Sequence, residues 1–276
     1  GLDFVWQRTY KSKHAVSSAQ GNNWDFSYNL KVAAEGGSAR VFDGAGRAEL
    51  YHQKVNGTYA RNGLARELIS GTNGVSLRYG NQTTLTFSTS GPVGSDPSKV
   101  RSLSDHNGNT LRFTYDNLGR LTNITDTLDR DIRVAYNDFG LIESVTDFAG
   151  RAVRYTYYGP DEPGGSFGDL KSVTTPGVIG TPNGNDFPNG KTTTYTYTRH
   201  PFEDRLSHNL LTITDGRRND PNDPTYGTGP YLVNVYSTNI HAEDPQFDRV
   251  VRQIRGGAVI DITYLPQPGV ETNDFV

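Results

Sequence analysis

Residues 105–125 read DHNGNTLRFTYDNLGRLTNIT, residues 126–146 read DTLDRDIRVAYNDFGLIESVT, and residues 147–157 read DFAGRAVRYTY. The second and third stretches repeat the pattern of the first at an interval of 21 residues. The positions that keep this interval are an aspartate at the start of each copy and a tyrosine further along, namely Asp105, Asp126 and Asp147, and Tyr115, Tyr136 and Tyr157. A fixed period of this length predicts a repeat architecture, in which each unit completes its core against its neighbours.

Each 21-residue copy is divided by short tetrads with the chemistry of tight turns. Asp or Asn at the first position can hydrogen-bond the backbone two residues later, and Gly at the fourth position accepts a positive φ without steric cost. Asp at that fourth position also tolerates a positive φ better than most residues. The tetrads begin at Asp105, Asp116, Asp126, Asn137 and Asp147, and they end at Gly108, Gly119, Asp129, Gly140 and Gly150. They predict a hairpin loop at each position.

The segments between these turns alternate as strands do. Leu111, Phe113 and Tyr115 share one face, and the next two copies keep the pattern, while the opposite face carries an arginine column, Arg112, Arg133 and Arg154. Alternation with a period of two predicts an antiparallel meander with one face packed and the other in solvent. The shorter strands place Leu121 and Ile124 three residues apart, which predicts a bulge in each.

The whole chain is therefore predicted to be all-β, a curved antiparallel repeat sheet of hairpin units of about 21 residues. We divide it into an N-terminal lead-in segment at 1–102, regular repeats at 103–158, and degenerate repeats with loop insertions at 159–276. Outside the regular repeats, residues 24–32 alternate perfectly between apolar and other side chains, which predicts one strand. Residues 62–70 are the only candidate for a helix.

The composition excludes several classes of protein. The 276 residues carry 27 basic and 30 acidic side chains, so the net charge of −3 gives no electrostatic case for binding nucleic acid. No apolar run approaches the roughly 18 residues of a membrane-spanning segment. The absence of Cys removes disulfides and thiol catalysis. The absence of Met, with Gly1 at the start, favours a processed product or a piece cut from a longer chain.

The repeat resembles the RHS or YD-repeat family. The resemblance rests on the frame Gly108-Asn109-x-Leu111-x-Phe113-x-Tyr115-Asp116-x-x-Gly119-Arg120-Leu121-x-x-Ile124-x-Asp126, which recurs over residues 103–157. The residues that match the family's repeat signature are Asp105, Gly108, Tyr115, Asp116, Gly119, Arg120, Asp126, Tyr136, Gly140, Asp147, Gly150, Arg151 and Tyr157. Only Tyr115-Asp116 is a literal Tyr-Asp pair, because the next copies read Tyr136-Asn137 and Tyr157-Tyr158.

What this resemblance implies is a β-sheet ribbon that spirals into a hollow shell. In bacterial RHS proteins and insecticidal toxin complexes such a shell encloses a C-terminal toxic polypeptide, and in teneurins a similar shell supports cell adhesion. A self-cleaving aspartyl-protease segment usually closes the bacterial shells. The stretch Pro266–Gly269 lacks the Asp-Pro-x-Gly core of that segment. The chain is therefore expected to be an interior or N-terminal part of a shell.

Two loops contain patterns that could carry chemistry. Gly164–Gly168 matches G-x-S-x-G around Ser166, but a nucleophile elbow needs a strand before it and a helix after it, whereas prolines precede this stretch. We interpret it as a Gly-rich loop. The acidic residues Asp215, Asp220 and Asp223 cluster in another insertion, and such hard oxygen ligands can hold Ca²⁺. The alternative is that they only form turns, and no other cofactor or metal is expected.

The arginine column Arg112, Arg133 and Arg154 has two interpretations. It could bind an anionic ligand or line a charged lumen, and alternate strands would place neighbouring members roughly 9.6 Å apart. It could equally be a solvated polar face, whose ion pairs contribute about 0–1 kcal/mol.

The sequence thus favours a protein without enzymatic activity. We expect a structural segment of a larger secreted or surface protein, forming part of a β shell that encloses or presents a C-terminal cargo. The alternative is an extracellular binding or adhesion module that recognises a glycan or a protein partner. The expected partner is the remainder of the parent shell or another protein chain, and the expected location is outside the cell or on its surface, in a bacterium.

Overall fold

A computed structural model describes residues 2–12, 18–71, 74–88, 98–200, 206–238 and 244–265. These residues form 21 strands and no α-helix, so the predicted all-β fold class is confirmed. The strands are β1 (Arg8–Tyr10), β2 (Trp24–Phe26), β3 (Leu30–Glu35), β4 (Ser38–Asp43), β5 (Ala48–Gln53), β6 (Tyr59–Ala60), β7 (Arg66–Gly71), β8 (Gly74–Tyr79), β9 (Thr84–Phe87), β10 (Ser98–Ser104), β11 (Thr110–Tyr115), β12 (Leu121–Thr125), β13 (Asp131–Tyr136), β14 (Ile142–Thr146), β15 (Ala152–Tyr157), β16 (Leu170–Thr174), β17 (Thr192–Tyr197), β18 (Leu210–Thr214), β19 (Leu232–Tyr236), β20 (Val250–Arg255) and β21 (Ala258–Asp261).

The chain divides into two compact units, an N-terminal unit, Gly1–Arg154, and a C-terminal unit, Tyr155–Val276. The division of the sequence at 102 and 158 follows the repeat pattern instead, and it stays a prediction.

Strands β3 to β10 of the N-terminal unit form a closed ring. Each strand pairs antiparallel with the next, and β10 returns to pair with β3 through Ser98↔Val32 and Lys99↔Lys31. With eight strands the interior of such a ring is just wide enough for side chains to fill it. The buried apolar residues on these strands are Val32, Ala39, Val41, Tyr51, Leu68, Leu77, Leu85, Phe87 and Val100.

The candidate helix at 62–70 is wrong. Residues 61–64 form a turn, closed by the Leu64 amide on the Arg61 carbonyl at 3.3 Å, with Gly63 at a φ of 80°. Strand β7 then pairs with β8 along its whole length, and Leu68 is buried in the ring. Pairing along a partner strand therefore overrides the weak local helix propensity of this segment.

Strand β10 joins the ring of strands to the regular repeats within one sheet. Its first residues pair with β3, and Ser102–Ser104 pair with β11, where the meander of regular repeats begins. The meander continues antiparallel from β11 to the start of β15. The predicted bulges are confirmed, since the register shifts where Tyr115 pairs with Leu121 and where Tyr136 pairs with Ile142.

The N-terminal segment covers the apolar face of this meander. Strands β1 and β2 pair with each other, and the Trp6 and Phe26 rings stack with centroids 5.0 Å apart. Tyr28 continues this aromatic cluster onto Phe113 of β11, at a centroid distance of 5.4 Å. The Ile142 amide, at a bulge, donates to the Ala19 carbonyl at 2.7 Å. The apolar face of the repeats is thus buried by the start of the chain.

The predicted single strand at 24–32 is two strands in the structure. The alternation holds, since Trp24, Phe26, Tyr28 and Val32 are all buried. The chain nevertheless turns after Phe26, whose carbonyl accepts from the Asn29 amide at 2.9 Å. Side-chain alternation therefore continues through a turn that separates β2 from β3.

In the C-terminal unit, β16 to β21 form a second antiparallel meander. Here the 21-residue period has stretched, because β16, β18 and β20 start at 40-residue intervals, at Leu170, Leu210 and Val250. The loop insertions predicted within 159–276 include residues 176–190, between β16 and β17, and residues 215–230, between β18 and β19. The same strand pattern is therefore kept with longer connections.

Candidate functional site

The repeat turns are closed by their first aspartate. In the turn at Asp116, the carboxylate Oδ1 accepts hydrogen bonds from the backbone amides of Leu118 at 3.0 Å and Arg120 at 2.8 Å. Oδ2 accepts from Arg120 Nε at 2.7 Å, and Gly119 has a φ of 71°. The hydrogen bond from the Arg120 amide is the largest cause that holds the pKa of Asp116 below its usual value.

The same arrangement recurs at all five tetrads. The fourth residue has a positive φ in every case, and Asp129 adopts 55° where the other tetrads have glycine. The first side chain accepts amide hydrogen bonds from the third and fifth residues, at Asp105, Asp126, Asn137 and Asp147 as at Asp116. Arg130 and Arg151 repeat the guanidinium bond of Arg120, and Asn109 replaces it in the first turn.

The repeat tyrosines satisfy backbone carbonyls near the bulges. Tyr136 donates its hydroxyl to the Leu121 carbonyl at 2.8 Å, and Tyr115 donates to the Val100 carbonyl at 2.7 Å. Both carbonyls lie on the preceding strand, next to a register shift that interrupts the regular ladder. Burial raises the pKa of both phenols, so they stay protonated and able to donate.

A cation lies over each of these two tyrosine rings. The Arg120 guanidinium lies 4.8 Å from the Tyr136 ring centroid, and Lys99 lies 5.7 Å from that of Tyr115. Arg120 therefore contacts two features at once, the carboxylate of its own turn and the ring of the next repeat. The sequence showed the period of these residues but did not show this link.

The C-terminal unit keeps the tyrosine contact. Tyr197 donates to the Leu170 carbonyl at 2.8 Å, Tyr236 to the Leu210 carbonyl at 3.3 Å, and Tyr264 to the Val250 carbonyl at 3.2 Å. Each acceptor is the first residue of a strand in the 40-residue series. The contact thus survives the lengthening of the repeat.

The arginine column lies on the exposed face of the meander, as its alternation predicts. Arg112, Arg133 and Arg154 are exposed, and Arg112 Nη2 pairs with Asp129 Oδ1 at 2.6 Å. Binding of an anionic ligand by this column stays a prediction.

The acidic residues of the 215–230 insertion each bind their own turn. Asp215 accepts from the backbone amides of Arg217 and Arg218 and from Arg218 Nη1, the last at 2.7 Å. Asp220 accepts from Asn222, and Asp223 accepts from Thr225. Among the described residues, no three carboxylate or imidazole side chains gather closely enough to hold a metal ion. Calcium binding by these aspartates stays a prediction from the sequence.

Next to the G-x-S-x-G stretch lies a polar pair that the sequence did not indicate, Asp169 with the partly exposed His208. Asp169 is completely buried, and its Oδ1 lies 2.7 Å from His208 Nδ1. Its Oδ2 accepts from the backbone amide of Ser166 at 2.8 Å, so the serine contributes its amide to this pair. Within the described residues, no hydrogen bond joins the Ser166 hydroxyl to His208. Gly168 has a φ of 83° and a strand follows, which agrees with a loop.

The contact between Asp169 and His208 could not be predicted from neighbouring residues, because the two lie far apart in the sequence. Asp169 directly precedes β16 and His208 lies just before β18, so the contact depends on how two separate connections fold. His208 itself has a φ of 66°, which is unusual for a residue other than glycine.

No helix among the described residues is long and apolar enough to cross a membrane.

Two families match parts of the chain. Residues 99–130 match the RHS repeat, and residues 1–51 match a domain of unknown function, DUF6531. The predicted resemblance to the RHS or YD-repeat family is therefore confirmed. The sequence matches none of the curated proteins.

Among solved structures, the chain is similar to one in the crystal structure of TcdB2-TccC3-Cdc42, with 18% identity and a TM-score of 0.36. The match covers 72% of this chain and 10% of the other. The chain thus spans about a tenth of the length of that structure.

Proposed function

We propose that this chain, which carries an RHS repeat at residues 99–130, is a structural segment of a larger secreted or surface RHS-type protein. In this proposal it has no enzymatic activity and forms part of the wall of a β shell that encloses or presents a C-terminal cargo. The observation that carries the proposal is that the side chains of the repeat signature, its carboxylates, arginines and tyrosines, bind the backbone and one another.

The turn at Asp116 illustrates this argument. A binding or catalytic carboxylate needs an oxygen that faces a ligand, whereas both oxygens of Asp116 accept hydrogen bonds from Leu118 and Arg120. A catalytic phenol needs access to a substrate, whereas Tyr136 donates to a backbone carbonyl. Groups that satisfy one another in this way stabilise a wall, which supports a scaffold function.

The last strand of the C-terminal meander, β21, is exposed, which supports the proposal that a further protein segment pairs with it. All four residues of β21 are exposed, and the Val259 and Ile260 side chains are more than half exposed, at 56% and 51%. Apolar strands at the end of a sheet favour pairing with another chain or aggregation. We propose that the remainder of the parent shell, or another protein chain, covers this strand.

The experiment uses the natural reading frame that contains this chain. If the proposal is correct, the purified full-length product forms hollow particles in electron micrographs, and the segment after this chain resists an added protease. The same downstream segment, expressed alone, should be digested rapidly. Digestion at equal rates in both proteins, or particles without a lumen, would contradict the shell function.

A second candidate is a binding or adhesion module, and the loops of the C-terminal unit favour it. Ile179 and Tyr226 lie on the two long insertions and are 76% and 55% exposed. The exposed tyrosine suits stacking against a glycan or contact with a protein, and the exposed isoleucine adds apolar surface. A glycan array with the intact chain tests this function, with Tyr226→Ser as the variant. Saturable binding that the variant abolishes would support it.

A further inference from the structure

Two lysines lie directly opposite each other where the ring of strands closes. Lys31 of β3 and Lys99 of β10 are partners in the antiparallel ladder, so their side chains leave the same face of the sheet. Like charges in this position repel, and such a pair destabilises a sheet. An anion bound between the two ammonium groups would remove that repulsion.

A cleft of about 580 Å³ lies beside this lysine pair, entirely within the N-terminal unit. Its lining among the described residues includes three cationic side chains, Lys31, Lys99 and Arg120, and no carboxylate. The volume falls within the range of pockets that bind small molecules. The rings of Tyr115 and Tyr136 and the side chain of Leu121 supply apolar surface.

The cations of the cleft differ in how far they are already bound. The Arg120 guanidinium uses its Nε on Asp116, at 2.7 Å. Lys99 donates one hydrogen bond to the Gly119 carbonyl and lies over the Tyr115 ring. An ammonium has three donors, so Lys99 can make further hydrogen bonds.

Lys31 is the least engaged of the three. Its ammonium lies 4.8 Å from the centroid of the Phe42 ring, and it makes no hydrogen bond or ion pair with any described residue. The donors of Lys31 and Lys99 are therefore available to one ligand at the ring closure.

We propose that this cleft binds a small organic anion with a carboxylate or phosphate group and an apolar body. The anionic group lies between Lys31 and Lys99, and the body lies against the tyrosine rings and Leu121. Charge-assisted hydrogen bonds of this kind are stronger than neutral ones. Because the two lysines belong to the two strands that close the ring, the bound anion also stabilises the closure. The inference does not depend on the shell function.

The test is titration of the intact chain with phenyl phosphate, benzoate, inorganic phosphate and benzyl alcohol at constant ionic strength. Amide chemical shifts in an NMR spectrum follow the binding and map its position. We expect saturable shifts at Lys31, Lys99 and Arg120 with at least one of the two aromatic anions, and none with benzyl alcohol. The two aromatic anions distinguish carboxylate from phosphate recognition, and inorganic phosphate measures the contribution of the apolar body.

Two variants separate this site from general attraction. Lys31→Gln should weaken binding about tenfold, because it removes one of two charge-assisted contacts. Arg78→Gln removes the same charge from an exposed position of β8 that does not line the cleft, and it should leave the affinity unchanged. Equal weakening by both variants would overturn the proposal. So would shifts outside the cleft or the absence of saturation in the unaltered chain, and these two results do not depend on how Lys31→Gln folds.

Discussion

The regular repeats of the N-terminal unit and the stretched repeats of the C-terminal unit differ in how the polar groups of the connections between strands find hydrogen-bond partners. Between Asp105 and Arg151, every turn is satisfied by its own side chains within four residues. In the C-terminal unit, residues of one loop also bind residues of another, as Asp169 binds His208 and Asn209 binds Asp248 at 2.5 Å. The lengthened repeats therefore keep local turn contacts, as at Asp215, and add long-range buried polar contacts to them.

This difference has a consequence for stability. A local turn that loses its aspartate remains close to water, which can replace the lost acceptor. A buried contact between two loops has no such substitute, since an unsatisfied buried group bears its full desolvation cost. We therefore expect the largest effects of substitution in the C-terminal unit.

The largest effect is expected for Asp169→Ala. The change leaves the Ser166 amide and His208 without the buried acceptor that both now contact, so the free energy of unfolding should fall by about 3 kcal/mol. Urea unfolding followed by fluorescence measures it. The control is Asp161→Ala, because Asp161 is exposed and its pair with Arg199 is 3.7 Å long, so a change within about 0.5 kcal/mol is expected. Equal effects of the two variants would show that the buried pair adds nothing.

A smaller effect is expected when the tyrosine contact is removed in each unit. Tyr197→Phe should destabilise by about 1.5 kcal/mol, because the Leu170 carbonyl and the ring are both buried. Tyr136→Phe removes a hydrogen bond of the same 2.8 Å length from a half-buried site, and it should cost about 1 kcal/mol. Urea unfolding of the two variants measures both losses of unfolding free energy. A larger loss for Tyr136→Phe than for Tyr197→Phe would contradict the expected order.

The positive φ of the regular turns can be tested at Gly140. Its φ of 77° means that Gly140→Ala should lower the free energy of unfolding by about 1 kcal/mol, although a Cβ meets only the end of Arg120 at 3.9 Å. Gly159→Ala is the matched control in the C-terminal unit, since open space surrounds that glycine and its φ is not positive. Thermal melts should show a lower midpoint for the first variant only. A lower melting midpoint for both variants would mean that the destabilisation has a cause other than the positive φ of Gly140.

The smallest effect concerns acid stability of the regular turns. The hydrogen bond from the Arg130 side chain is the largest cause that lowers the pKa of Asp126 in the folded protein. The folded state therefore binds fewer protons than the unfolded state, and this stability is complete at neutral pH. It decreases as the pH falls below about 3.9, the ordinary value for Asp, towards the lower pKa of the folded state.

Unfolding in urea at pH 7, 4 and 3 measures this dependence, and Asp126→Asn should make it shallower. Asn137 already occupies the equivalent position in another turn, which shows that an amide can accept the same backbone hydrogen bonds. A steeper dependence in the variant would contradict the assignment.

Much of the fold could be predicted because its signals are local and repeat. The turns at Asp116 and Asn137 need one acceptor and one residue with a positive φ, and both are visible in four letters. The bulges were visible in the three-residue spacing of Leu121 and Ile124. Residues 62–70 misled the prediction, because their strand is fixed by pairing with β8.

The contacts that the sequence did not reveal all join distant segments. Arg120 lies over Tyr136 because antiparallel pairing brings alternate turns, here those at Asp116 and Asn137, to the same end of the strands, and no spacing rule for a single strand contains that fact. Asp169 and His208 lie on separate connections, before β16 and before β18, whose conformations do not recur along the chain. The lysine pair was also hidden, since Lys31 and Lys99 meet only when the ring closes.

The closing contact between β3 and β10 also determines when the ring of strands can be completed. A chain made from its N-terminus at about 5–20 residues per second would expose the open edge of β3 for roughly 4–14 seconds before Ser104 is available. During that interval the edge is a template for pairing with any other unfinished chain. The ring is therefore the part of the molecule whose yield should depend most on the speed of synthesis and on chaperones.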